Sequence, residues 1–255
     1  MQTALPTDGL ERYTSHSQRA RIATEAWGLA HLYCPNCDAP RLENSPANTH
    51  AYDYTCENCT NTFQLKSQSR LLAGRIVDSA YDSMVRAIRE DRTPNLFAMH
   101  YSRKDWRVEN VILVPHFAFP FSAIEKRKPL GSSARRAGWV GCNILLSAIP
   151  EDARIPIVTA GKPRPAREVR EKFKKIRPLE RVSAEKRGWT LDVLNVLRRM
   201  GKVEFDLGEV YEHEQELKRL HPGNRHVRDK IRQQLQELRD AGLVEFLGRG
   251  EYRMK

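Results

Sequence analysis

Four of the five cysteines stand as two matched pairs, Cys34-Pro-Asn-Cys37 and Cys56-Glu-Asn-Cys59, with eighteen residues between the pairs. The pattern C-x2-C-x18-C-x2-C lies within the spacing range of a tetrahedral four-cysteine zinc site. Each pair forms a tight knuckle that presents two thiolates, and the chain between them must return to close the tetrahedron. A redox Cys-x-x-Cys accounts for one pair but not for two that match. Four protein ligands fill the coordination shell, so this metal is expected to be structural. Cys142 has no partner pair and reads as a small buried apolar residue.

The chain has 255 residues, enough for one good-sized domain and a small one. With 40% hydrophobic and 29% charged residues it has the composition of a soluble globular protein. No apolar run approaches the roughly 18 residues that span a bilayer. The start, MQTALPTDGLERYTS, lacks a basic region followed by an apolar core. The expected location is therefore cytoplasmic, of prokaryotic type, with no membrane partner. A formal net charge of +11 favours a polyanionic partner. The segment from Lys162 to Arg187 holds eleven Lys or Arg, four Glu and three prolines, and reads as a basic linker or strap.

Periodicity places a helix over 17–31, capped at Ser17, with Ile22, Ala26, Trp27 and Ala30 at helical spacing. Strands fit AYDYT (51–55) and TFQLKS (62–67), joined by the second knuckle. Alternation along the latter turns Gln64 and Lys66 to one face and Leu65 to the core. A helix is expected over 77–91, then strands over 95–101, 108–115 and 153–161. The sum is a mixed α/β domain spanning 1–180.

The remainder, 181–255, has another character. Thr190 is expected to cap a helix carrying Leu191, Leu194 and Leu197. Asp206 is expected to cap a second, with Leu207, Val210, Tyr211 and Leu217. A third runs through NRHVRDKIRQQLQELRDAG with an apolar stripe of Val227, Ile231, Leu235 and Leu238. Arg225, Arg228 and Arg232 form a separate stripe. Gly242 ends that helix, and a hairpin turns at Gly248-Arg249-Gly250. Three helices followed by a hairpin describe a winged helix, the helix-turn-helix variant that lays its third helix in a DNA major groove. A three-helix protein-binding module with a solvated Arg face is the plainer alternative.

Phosphodiester hydrolysis needs a carboxylate to hold Mg²⁺, a second oxygen ligand, and a cation near the attacking water or the scissile phosphate. Asp53, Gln64 and Lys66 can meet at the end of two paired strands. The spacing Asp-x10-Gln-x-Lys is weak by itself, and a surface Asp–Lys pair on a zinc-stapled hairpin fits it equally.

Six segments together resemble the DpnI family of methyl-directed (type IIM) restriction endonucleases. They are SQRARIATEAW (17–27), YCPNC (33–37), YDYTCENCTNTFQLKS (52–67), KPLGSSARRAGWVGCNI (128–144), SAEKRGWTLDVLNVL (183–197) and IRQQLQELRDAGLVEFLGRGEYR (231–253). They occur in order over nearly the whole chain. The resemblance implies a PD-(D/E)XK nuclease-like domain with a zinc site, followed by a winged helix. It implies a type II deoxyribonuclease that uses Mg²⁺ to hydrolyse both strands at GATC sites carrying N6-methyladenine. Carried over by position, Asp53 is the metal-binding acid and Lys66 the catalytic lysine, and the Leu65 carbonyl is the remaining metal ligand. Gln64 stands where the family pattern has Glu. That exchange keeps one carbonyl oxygen and removes a full charge, so Mg²⁺ should bind more weakly. Phosphate oxygens of bound DNA or another acid, Glu25 among them, can compensate.

Methylation of the adenine amine makes part of the major-groove edge apolar, and an aromatic ring can meet it. Trp139, beside Arg135 and Arg136, is the candidate, with an ordinary core tryptophan as the plain alternative. Arg225, Arg228, Arg232 and Arg249 are the winged-helix candidates for bases or phosphates. Two rival readings are carried: a catalytically impaired methyl-DNA binding protein, silenced by Gln64, and a zinc-containing winged-helix transcription factor unrelated to nucleases. The expected partner is adenine-methylated double-stranded DNA, met by a monomer acting twice or by a transient dimer.

Overall fold

The computed structural model describes residues 1–46, 49, 52–72 and 74–255. Helix α1 (His16–His31) is followed by β1 (Glu43–Asn44), β2 (Tyr54–Thr55), β3 (Thr62–Gln68) and β4 (Arg75–Ala80). Next come α2 (Tyr81–Arg89), β5 (Asn95–Ser102), β6 (Arg107–Val114), β7 (Ile124–Lys126) and β8 (Gly141–Leu145). The strands β9 (Ile155–Thr159) and β10 (Lys162–Pro163) and the helix α3 (Ala166–Ile176) lead into α4 (Ala184–Met200). The C-terminal unit is completed by β11 (Glu204–Asp206), α5 (Leu207–Tyr211), α6 (Glu214–Leu220), α7 (Val227–Asp240), β12 (Val244–Gly248) and β13 (Glu251–Met254).

A seven-stranded mixed sheet in the order β1-β2-β3-β5-β6-β9-β10 forms the frame. Its one parallel pairing is β3 with β5, from Phe63 opposite Asn95 to Gln68 opposite His100. Centre strands read as continuous apolar runs because both faces are covered: Leu96, Phe97, Ala98 and Met99 on β5 are all buried. Helix α1 lies across β3. Gly28 is the reason it can lie so close, since a Cβ there would meet the Tyr54 ring and Leu65 Cδ2. A smaller antiparallel sheet, β4-β8-β7, is hydrogen-bonded separately, with β4 against β3 of the first.

Several expectations need correction. Helix α1 starts at His16 with Ser15 before it, so Ser17 lies inside the first turn. Only Tyr54–Thr55 of the expected 51–55 strand is extended and paired, and Ala51 lies outside the described residues. Residues 77–80 belong to β4, not to the helix that follows, because they pair with β8, about 65 positions away in sequence. The basic segment is no mere strap. It contains α3, whose Val169, Phe173 and Ile176 are buried. Arg170 from that helix donates to the carbonyls of Cys34 (3.2 Å) and Ala39 (3.0 Å), bracing the first knuckle.

The C-terminal unit is a winged helix. Helix α4 starts six residues before Thr190, after Ser183. Thr190 is fully buried inside it, donating to Gln234 Oε1 of α7 at 2.7 Å. Asp206 caps α5 in a reciprocal box with Glu209, both bonds being 2.9 Å. The expected second helix breaks after Tyr211, so Leu217 sits on the separate α6. Val227, Ile231, Leu235 and Leu238 of α7 are all buried, as their spacing requires. Gly242 closes this helix at φ 74°, and the wing turns through Gly248, Arg249 and Gly250, all at positive φ. No helix among the described residues is long and apolar enough to cross a membrane.

Candidate functional site

The two cysteine knuckles meet at the hairpin that carries Asp53. The four Sγ atoms of Cys34, Cys37, Cys56 and Cys59 lie within 4.8 Å of one another. The pairs Cys34–Cys59 and Cys37–Cys56 are each 3.5 Å apart. Zn–S bonds of about 2.3 Å put tetrahedral sulfur atoms roughly 3.8 Å apart, so the cluster fits zinc in size, geometry and donor type. Asn61 Nδ2 points at Cys59 Sγ (3.4 Å), and Asn95 Nδ2 holds both Asn61 Oδ1 (3.1 Å) and the Thr62 carbonyl (3.0 Å). Asn95 is 1% exposed and starts β5, so the knuckle is tied to the sheet through a satisfied buried amide. Cys142 lies apart from the cluster, fully buried, its thiol facing the Ser79 carbonyl at 3.3 Å.

Beyond the second knuckle, the chain brings Asp53 and Lys66 into one neighbourhood. The Asp53 amide donates to the Phe63 carbonyl (2.8 Å), and the Leu65 amide donates to Asp53 Oδ2 (2.7 Å). In an extended strand the N–H and C=O of one residue leave on the same edge. The Leu65 carbonyl therefore also faces the Asp53 side, beyond the end of β2. Gln64 and Lys66 alternate with Leu65, and all three are half-buried. Burial raises the Asp53 carboxyl above its ordinary value, while the Leu65 amide, the Lys66 ammonium and Arg21 oppose that rise.

Glu25 of α1 belongs to the same neighbourhood. Its backbone carbonyl accepts from Tyr54 Oη (2.9 Å), and its side chain sits 3.5 Å from Arg21 Nε. Its carboxyl is raised by burial, opposed by Arg21 and reinforced by the Asp53 charge. Sequence reasoning missed one acid here. Asp78 of β4 lies 2.8 Å from Lys66 Nζ, with 2% of its side chain exposed. No motif spacing marks it, because its position depends on the pairing of β4 with β8.

Arg135, Arg136 and Trp139 sit in the loop between β7 and β8. The two arginines are exposed, and the guanidinium of Arg136 lies 4.9 Å from the centre of the Trp139 ring. Trp139 is half-buried and lies over Gly141, where a Cβ would stand 2.7 Å from its ring, so it is not a core tryptophan. In the winged helix, Arg228 and Arg232 project from α7. Arg225 precedes that helix rather than sharing its stripe. Arg228 Nε bonds Glu214 (2.7 Å) and lies over Tyr211, whose hydroxyl accepts from Arg232 at 3.1 Å. Arg249 is exposed at the wing tip.

A mixed-sheet domain with a four-cysteine cluster that fits zinc, joined to a helix-turn-helix unit whose last helix, α7, bears arginines, defines a class of DNA-binding proteins with a candidate metal site. The Dam-replacing family model, DpnI, matches residues 1–182. The Dam-replacing HTH domain model matches residues 185–254. The chain belongs to the DpnI, Dam-replacing family. Membership supports a Dam-dependent, methyl-directed restriction function in general terms, and the helix-turn-helix unit supports DNA binding.

Proposed function

We propose that the chain is a methyl-directed, type II endonuclease that hydrolyses both strands of DNA at GATC sites carrying N6-methyladenine. A catalytic unit over 1–180 works with a DNA-binding unit over 181–255. The observation that carries this reading is the meeting of Asp53, the Leu65 backbone and Lys66 at one edge of β3 in a member of this family. The donors available there are hard oxygens: the second Asp53 oxygen, the Gln64 amide carbonyl and the Leu65 carbonyl. That is the donor set Mg²⁺ takes, so Asp53, Gln64 and Leu65 are assigned to hold it. Bound Mg²⁺ supplies Lewis-acid polarisation of the phosphate and a more acidic water. Lys66 offers a cation to orient the water or the scissile phosphate. The four cysteines hold structural Zn²⁺ and fix the hairpin on which Asp53 is mounted. Trp139 meets the methyl group, flanked by Arg135 and Arg136. Arg225, Arg228, Arg232 and Arg249 engage the duplex, and one protomer cuts the strands in turn or through a transient dimer.

The test is incubation of Dam-methylated and unmethylated plasmid with Mg²⁺ and, separately, Mn²⁺. Cleavage confined to methylated DNA is expected. An intact methylated plasmid with both metals overturns the nuclease reading. One observation favours a second reading, a methyl-DNA binding protein without cleavage: Gln64 leaves Asp53 as the one anion among the three assigned ligands. That reading expects methyl-dependent retention in a gel shift, no cutting, and cutting restored by Gln64→Glu.

A further inference from the structure

The ion pair between Lys66 and Asp78 has no part in the chemistry assigned above, yet its acidic partner is almost fully buried. Nζ and Oδ1 are 2.8 Å apart, and the exposed fractions of the two side chains are 26% and 2%. A carboxylate so far from water persists as an ion only beside an opposite charge. Asp78 is brought there by strand alternation: β4 reads exposed and buried in turn, and Asp78 shares the buried face with Ile76. Val77 pairs with Asn143 and Ala80 with Gly141, so Asp78 and Ser79 together stand against Cys142. By that alternation Val77 faces solvent at 57% exposure while Asp78 faces inward at 7%. The strand opposite, β8, starts two residues after Trp139, so this small sheet bears the arginine-rich loop on one side and grips Lys66 on the other.

We propose that Asp78 is the positioning residue for Lys66: it pins the ammonium in place beside Asp53 before DNA arrives. The four-carbon lysine stem is flexible, and a cation left free over the site has many rotamers. Holding it in one of them removes an ordering step from the reaction, and small misplacements of a reacting group are costly. The inference rests on the nuclease reading above.

The experiment is single-turnover cleavage of a methylated duplex by the full chain and by Asp78→Asn, Asp78→Glu, Lys66→Ala and the Lys66→Ala/Asp78→Asn double variant. Each substitution is made in the natural and in the Gln64→Glu background. Asp78→Asn is expected to cut at least about tenfold more slowly, with duplex affinity and zinc content unchanged. The double variant is expected to cut no more slowly than Lys66→Ala alone, because Asp78 acts only through the lysine. Asp78→Glu keeps the buried charge and folds even where Asp78→Asn does not. It displaces the ammonium by about one methylene, so its rate is expected to fall between those of the parent and Lys66→Ala. Asp78→Asn or Asp78→Glu cutting at the parent rate or faster overturns the inference alone. So does a double variant well below Lys66→Ala. No cutting of methylated duplex by the natural chain overturns the nuclease reading, and no cutting in the Gln64→Glu background as well overturns this inference with it.

Discussion

Gly28 sets the distance between α1 and the strands that carry the site, and Gly28→Ala tests how tightly. A Cβ built at this position overlaps Tyr54 Oη outright and stands 3.0 Å from its Cζ and 3.2 Å from Leu65 Cδ2. None of these neighbours is the loose end of a flexible chain. Tyr54 is 1% exposed, and its hydroxyl is committed to the Glu25 carbonyl at 2.9 Å. Forcing a methyl into such packing costs about 1–3 kcal/mol. Loss of the tyrosine hydrogen bond adds about 1 kcal/mol. Against this, alanine is favoured over glycine in a helix interior by about 1 kcal/mol. The balance is a destabilisation of about 2 kcal/mol, or a fall of about 4–8 °C in the melting midpoint for a chain of this size. Calorimetry or circular dichroism on the zinc-loaded protein measures it. Tyr54→Phe removes the overlapping oxygen, so Gly28→Ala/Tyr54→Phe should melt above Gly28→Ala, a sign reversal that independent sites do not show. A Gly28→Ala protein as stable as the parent would refute the argument, since helix propensity would then outweigh a contact that was never tight.

The remaining predictions concern metal, protons and DNA. Cys56→Ser removes one thiolate of the cluster, and since structural zinc contributes folding energy the N-terminal unit should unfold or aggregate and lose its zinc. A folded, zinc-loaded Cys56→Ser chain would refute the bracing role. Asp53 has its carboxyl raised by burial, so its ionised form opposes folding. Asp53→Asn should therefore melt above the parent at neutral pH. That margin should shrink as pH falls through the raised native value, and vanish below about 3.9, the ordinary value for Asp. A margin that grows toward acid would show the sign to be wrong. Arg225 is exposed in the loop before α7. If it meets a phosphate, Arg225→Ala should weaken methylated and unmethylated duplexes alike and reduce the slope of log affinity against log salt by about 1. An unchanged slope in a fluorescence-anisotropy titration counts against that contact.

What could be read in advance divides by how local its cause is. The four-cysteine cluster was legible because two Cys-x-x-Cys knuckles are local objects whose spacing states their joint purpose. The α7 stripe, the cap at Asp206 and the glycine turn of the wing were legible for the same reason. Thr190 misled because Leu191, Leu194 and Leu197 follow it at helical spacing, although the helix begins six residues earlier and buries the threonine. The segment 162–187 misled in another way. Its charge count drew attention from Val169, Phe173 and Ile176, whose four-then-three spacing marks an amphipathic helix.

Asp78 shows where such reading stops. The run VDSAYDSMVRAIRED is a fair helix by local preference, and its first residues are strand only because β8 lies alongside. An acid placed by a long-range strand pairing has no spacing signature relative to Asp53 or Lys66. Its 2.8 Å contact with the lysine is a property of the folded sheet alone. The two acids of the site thus reach the lysine strand by different routes. Asp53 is carried there by a zinc-stapled hairpin that any sufficiently close reading of the cysteines can find. Asp78 is carried there by the sheet that also presents Arg135, Arg136 and Trp139. The lysine stands where those two supports meet. Perturbing the loop of the small sheet should therefore reach Lys66 through Asp78 and β4, while perturbing the zinc should reach Asp53 first.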